Sequence, residues 1–178
     1  MPVKKAKVIP KGPVINDTPT QPLNVYVFGE GSSGELGLGT AKNAIDVKRP
    51  RLNANLPADG VGIVQVAVGG MHVVALTHDN KIVTWGVNDQ GALGRDTTWD
   101  GGLKDMDDAA KEDDSDSDED DDAGLNPKES VPAPIPADKF NEDTVFVQVA
   151  ASDSASFAVT DDGQVWGWGT FRVGAAEV

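Results

Sequence analysis

The chain has no cysteine, two histidines (His72 and His78), a single tyrosine, and about half as many basic as acidic residues, 15 against 29. Without cysteine there are no disulfides and no thiolate metal sites, a composition that suits a reducing compartment. The two histidines have no third ligand at metal spacing, so a zinc site finds no ligand set. No apolar run approaches the roughly 18–20 residues that span a bilayer. Met1–Pro22 has lysines but no apolar stretch behind them, which argues against a secretory signal. GEGSSG at Gly29–Gly34 is Gly-rich, yet no Lys-Ser/Thr follows and no helical pattern opens, so it is no phosphate loop. Hydrolase, nucleotide-binding and metal readings, and a small-molecule substrate or cofactor, therefore find no residues to rest on.

The charge that is present is concentrated. The formal net charge is −14, but Asp105–Asp122 alone holds twelve acids against Lys111. Like charges this dense repel and stay extended. Ser115 and Ser117 each have an acid three residues on, which suits an acid-directed kinase; the plainer reading is a solvated spacer. The fixed glycine and terminal glutamate of a calcium-binding hand are missing. Lys4, Lys5, Lys7 and Lys11 make residues 1–22 a basic, Pro-containing tail that reads as disordered. Its lysines suit nuclear import or DNA phosphates, or simply keep the chain in solution.

What organises the chain is repetition. Lys81–Asp96, KIVTWGVNDQGALGRD, carries a short aromatic strand, a Trp-Gly step and a Gly-Ala-Leu-Gly turn. Val25–Gly39, VYVFGEGSSGELGLG, has the same design, and Gln164–Gly169, QVWGWG, opens a third copy. Gly29, Gly86 and Gly169 fall in one register, spaced by 57 and 83 residues. Val64–Gly86 and Val147–Gly169 also match without a gap. The alternation Val64, Val66, Val68 has the two-residue period of a strand. Val73–Thr77 reads as a fully buried strand. His78–Lys81 and Asp161–Gln164 read as hairpin turns, the second with an Asp-Gly pair that calls for positive φ at both turn residues. Units of three or four short strands at this spacing have the size of propeller blades. The difference between the two spacings, 26 residues, makes 99–136 an acidic, disordered loop insertion between 23–98, the first blades, and 137–178, a further partial blade.

The segments VAVGGMHVVALT, WGVNDQGALGRDT and VTDDGQVWGWGTFR resemble the seven-bladed propellers of the chromosome-condensation-regulator type. Within that family the resemblance is to members, fungal in kind, that exchange guanine nucleotide on the small GTPase Ran. It covers roughly Leu23–Asp96 and Val145–Arg172. The resemblance implies an all-β fold, a partial propeller of about two and a half blades of seven. It implies a nuclear protein that acts on a Ran-type GTPase, with histones or chromatin as further partners, no membrane, and no cofactor. Carried over by motif, His72 in GGMH and Asp153 in ASDS fall on GTPase-facing positions of successive blades. Asn88 and Asp89 read as turn-formers. Ser32 and Ala155 stand where the family pattern has an acid and a histidine. The resemblance also implies that this chain, ending before the later blades and the wedge that acts on the nucleotide, has little exchange activity by itself. The alternative is a propeller scaffold that binds partners without releasing nucleotide. A kelch propeller would need its Gly-Gly pair in each repeat, yet Gly69-Gly70 is answered by Ser152-Asp153. Trp99-Asp100 lies in the insertion, away from a strand end, which argues against a WD repeat.

Overall fold

A computed structural model describes residues 10–101 and 123–171. The acidic tract with Ser115 and Ser117, Lys4, Lys5 and Lys7, and Arg172 lie outside the described residues. Among the described residues nine strands form three antiparallel sheets in chain order. The first pairs β1 (Tyr26–Glu30) with β2 (Asp46–Leu52). The second runs β3 (Ile63–Val68), β4 (His72–Thr77), β5 (Ile82–Gly86) and β6 (Ala133–Pro134). The third runs β7 (Phe146–Ala151), β8 (Ala155–Thr160) and β9 (Val165–Gly169). The 83-residue offset read from the sequence maps β3–β5 onto β7–β9, and the 57-residue offset maps β1 onto β5.

β4 shows why these sheets are blades. All six of its residues are buried, so it is covered on both faces. Val73 and Ala75 join Leu56, Ile63, Val83 and Trp85 in a core that Val25 and Val61 cover, Val25 and Leu56 flanking the first sheet. Val74 and Leu76 point the other way, into a core with Phe146, Val149 and Ala158 of the third. The strand period of two thus feeds two cores at once. Polar side chains stitch the same seam: Asn80 spans from its hairpin to Thr144 O and Phe146 N, and Gln65 accepts from Val149 N.

Both hairpins close with a single left-handed residue, Asn80 (φ 63°) and Gly163 (φ 82°). The expectation of two positive-φ residues in Asp162-Gly163 is thereby corrected. A turn in which Asn80 N and Gly163 N bond back to Thr77 O and Thr160 O needs only its last residue left-handed. Each is held by a threonine hydroxyl that accepts from the backbone N–H four residues on, Lys81 or Gln164.

Two boundaries shift from the sequence reading. Residues 123–136 are structured: α1 (Pro127–Ser130) is capped by Asn126, and β6 supplies the fourth strand of the second sheet. The base of the insertion is pinned. Arg95 donates to Thr84 O, Thr84 Oγ1 and Lys128 O, while Asn126 Nδ2 donates to Thr97 O. At the other end, residues 10–22 form no helix or strand but are laid against the sheets as a strap. Ile15 N and Asn16 N donate to Asp161 O, Gly12 N to an Asp162 carboxylate oxygen, and Leu23 N to Ile63 O. Backbone groups that find partners at this density hold a segment in place without regular structure. Among the described residues no helix is long and apolar enough to cross a membrane.

Candidate functional site

Each blade has two rims. One carries the hairpins and the strap. The other carries the β3–β4 turn (69–71), the β7–β8 turn (152–154) and the Gly-rich loops that follow β1 and β5. Val87 N donates to Met71 O, and Thr170 N to Ser154 O, which brings turn and loop together in both blades.

On this rim the glycines have a specific reason. A Cβ on Gly37 would lie 2.8 Å from the Trp85 ring, and one on Gly94 would lie 2.9 Å from Trp168 Nε1. Both tryptophans belong to the following blade. Trp85 Nε1 donates to Glu35 O at 3.0 Å, and Trp168 Nε1 donates to Ala92 O at 2.9 Å. Donor and acceptor recur with the repeat offsets, so Gly-x-Leu-Gly is the socket for the next blade's indole. The sequence reading, which treated these glycines as tight turns, missed this; the joint recurrence of Trp-Gly and Gly-x-Leu-Gly was the signal. Phe28 stands at the tryptophan position of the first sheet, 65% exposed and with no N–H to donate. Asn88 closes its loop as expected, accepting from Leu93 N and donating to Arg95 O and Thr97 Oγ1.

The Gly69-Gly70 pair has a similar reason. A Cβ on Gly69 would stand 2.4 Å from Ser152 O, and one on Gly70 would stand 2.5 Å from Asp153 Oδ1. Gly70 N donates to Asp153 O at 3.3 Å. The β7–β8 turn therefore rests on the β3–β4 turn, and this seat presents Asp153 at the surface. Its carboxylate also accepts from Ser154 Oγ. Met71, Asp89 and Gln90 are exposed on the same rim.

His72 is close to Asp153 but is set back from the surface, only 2% exposed. Its Nε2 lies 2.9 Å from Ser156 Oγ, and Ser156 Oγ donates to Ala92 O at 2.8 Å. Ser156 has one hydroxyl proton, already given to Ala92, so His72 Nε2 is the donor to Ser156 Oγ. Burial lowers the His72 pKa below its ordinary value, and the Asp153 carboxylate opposes this. His72 therefore ties the second blade to the third beneath the turn that carries Asp153. The structure brings the two sequence-predicted residues together, one at the surface and one beneath it. Among the described residues no cluster of three or more His, Cys, Asp or Glu could hold a metal ion.

Comparison with known proteins agrees with this architecture. Models of the regulator of chromosome condensation (RCC1) repeat match residues 24–76 and, in a second form, residues 63–92 and 146–174. The guanine nucleotide exchange factor SRM1 of Saccharomyces cerevisiae is 49% identical over 156 residues, 85% of this chain and 31% of that protein. A crystal structure of Prp20p from the same organism, studied for its binding to Gsp1p and histones, superposes with a TM-score of 0.69 at 39% identity. That match covers 91% of this chain and 34% of the other. Yeast RCC1 (Prp20) bound to Kap60 gives a TM-score of 0.71 at 38% identity over 98% of this chain and 37% of that one. The chain spans about a third of the length of these relatives. With repeats, blades and indole sockets all in register, the chain belongs to the RCC1-repeat family of β-propeller proteins.

Proposed function

We propose that the chain is part of a guanine nucleotide exchange factor for a Ran-type small GTPase, and that the Gly-rich rim with Asp153 is a contact surface for that GTPase. The observation that carries the reading is the seating of Asp153: an exposed carboxylate packed on Gly70, in a chain 49% identical over 156 residues to a guanine nucleotide exchange factor. Exchange asks for no covalent chemistry. It asks for a surface that binds the nucleotide-free GTPase more tightly than the loaded form, so that protein and nucleotide weaken each other reciprocally. Each factor of ten in that preference corresponds to about 1.4 kcal/mol. A rim built from short turns on buried strands loses little entropy on binding. In this reading Asp153 contacts the GTPase and His72 is a positioning residue that acts through Ser156 and the turn above it.

A nuclear location and contact with histones belong to the same proposal. They are supported by the chromosome-condensation repeat and by the histone-binding relative.

The test is release of fluorescent GDP from a Ran-type GTPase, alongside binding of its nucleotide-free form. The expected result is preferential binding of the nucleotide-free form, lost in Asp153→Asn, with slow release by this chain alone. Binding that ignores the nucleotide state would favour the scaffold reading. Absence of binding to either form would remove the proposal.

A further inference from the structure

On the opposite rim, between the strap, the loop 140–145 and the hairpin of the third sheet, lies a groove that the exchange reading does not use. One cavity of about 500 Å³ has Phe140 and Trp166 as its apolar wall, their rings edge to face at 5.3 Å. Glu142, Asp143 and Asp162 line it, and Lys11 is its only basic residue. A second cavity of about 640 Å³ shares Phe140, Asn141, Glu142 and Thr144 with the first and continues toward Asp138. Lys81 also lines the second cavity, so the acidic end of this groove is the first cavity.

Asp161 in the first cavity is 6% exposed, and its Oδ1 has no hydrogen-bond donor. Its Oδ2 takes Lys11 Nζ at 3.1 Å, and the same ammonium donates to Asp143 O at 3.1 Å. A buried carboxylate oxygen without a donor is costly and marks a missing partner. An ammonium meets such a carboxylate as a point charge, whereas a guanidinium offers two parallel N–H groups and fills both oxygens. The adjacent Trp166 ring suits the face of the same cation. The rest of the occupant is already drawn. Residues 11–18 of the chain lie against this rim as an extended peptide, giving Gly12 N to Asp162, Ile15 N and Asn16 N to Asp161 O, and Thr18 Oγ1 to Phe146 O. With no metal-competent cluster among the described residues, an organic cation is the fitting occupant.

We propose that this groove is a docking site for an extended, arginine-containing segment of a basic partner protein, and that the strap with Lys11 is its competitor in cis. The guanidinium takes both oxygens of Asp161, and the segment's backbone takes the acceptors that the strap now uses. A tethered competitor acts at high effective concentration, so the free site is best seen once Lys11 is removed.

The probes are the fluorescein-labelled heptapeptide Pro-Arg-Gly-Pro-Val-Ile-Asn, which is segment 10–16 with arginine at the lysine position, and its citrulline counterpart. Citrulline keeps the shape and loses the charge. Anisotropy titrations would use the full chain, Lys11→Ala, Asp161→Asn, and the double variant Glu142→Gln, Asp143→Asn. The last changes two exposed residues and spares the fold. The expected result is saturable binding of the arginine peptide to Lys11→Ala with Kd below about 1 mM. It should be several-fold tighter than binding to the unmodified chain and about tenfold tighter than binding of the citrulline peptide. The two acid-removing changes, introduced into Lys11→Ala, should each weaken it about tenfold. Equal binding of the two peptides, no saturation on Lys11→Ala, or unchanged affinity in the exposed double variant would overturn the proposal. Equal affinity for free arginine would overturn the assignment to a peptide.

Discussion

Trp168 Nε1 donates to Ala92 O across the seam between the second and third sheets, repeating the bond from Trp85 to Glu35 across the seam before it. Ala92 O also receives Ser156 Oγ, which in turn receives His72. A single carbonyl therefore gathers three side chains from two blades. Loss of an indole N–H should matter most where water cannot replace it. Trp85 is 1% exposed, whereas Trp168 is only partly buried and shares its acceptor with Ser156. Trp85→Phe should destabilise by about 1–3 kcal/mol and Trp168→Phe by about 1 kcal/mol or less, measured by urea unfolding.

The glycine sockets predict an ordering. Gly37, Gly91 and Gly94 all have positive φ, at 65°, 81° and 67°. Only Gly91 has open space where a Cβ would stand. Gly91→Ala should cost about 1–2 kcal/mol from backbone strain alone. Gly37→Ala and Gly94→Ala must in addition push away an indole, and each should cost about 1–3 kcal/mol more. Equal losses at the three positions in thermal melts would refute the socket account.

His72 gives a pH dependence. Its folded pKa lies below the ordinary 6.5, through burial, with Asp153 opposing. The unfolded chain thus binds the proton more readily than the folded one. This contribution to stability is complete above about pH 6.5 and diminishes as pH falls toward the folded pKa. Urea midpoints should fall between pH 7 and pH 5, and His72→Gln should flatten that part of the profile.

A further expectation links structure to the proposed function. Gly70→Ala places a methyl group 2.5 Å from Asp153 Oδ1 and must displace that side chain. It should weaken binding of the nucleotide-free GTPase about tenfold, comparably to Asp153→Asn, if that carboxylate is a contact. Gly163→Ala, also at positive φ but in a hairpin on the opposite rim, serves as the control, with binding unchanged.

The insertion should be dispensable for folding while its base is not. Arg95, Asn126 and Thr97 fasten the two ends independently of what lies between. Replacing residues 102–122 by a short Gly-Ser linker should change stability by less than about 1 kcal/mol, because loop-closure entropy varies slowly with length. Arg95→Met removes three donors to neighbouring oxygens and should cost about 2–4 kcal/mol, read from the same unfolding curves.

β3–β5 and β7–β9 were legible because each is short, apolar and repeated, unlike the charged and mostly exposed β2. The unbroken run Val73–Thr77 corresponds to a strand buried on both faces, but of the alternating valines only Val64 is buried, Val66 and Val68 being 37% and 69% exposed. Asp153 and His72 were legible only as motif positions. Nothing in GGMH says that its histidine turns inward to Ser156, a partner 84 residues away. The docking of residues 10–18 was not legible either, since Lys11, Gly12 and Ile15 carry no periodicity and bind mostly through backbone atoms. β6 was overlooked for a related reason: two residues, one of them proline, make a strand only because β5 offers its edge.

The strap imposes an order of events during synthesis. Lys11 and Gly12 reach partners 132 and 150 residues downstream. A chain leaving the ribosome from its N-terminus cannot form these bonds until the hairpin at Asp161–Gln164 has also emerged. At the slower end of the usual elongation rates, about 5 residues per second, that delay is roughly half a minute. Throughout it, the acceptors of the strap are not yet made, and the nascent N-terminus is open to whatever else is present in the cell.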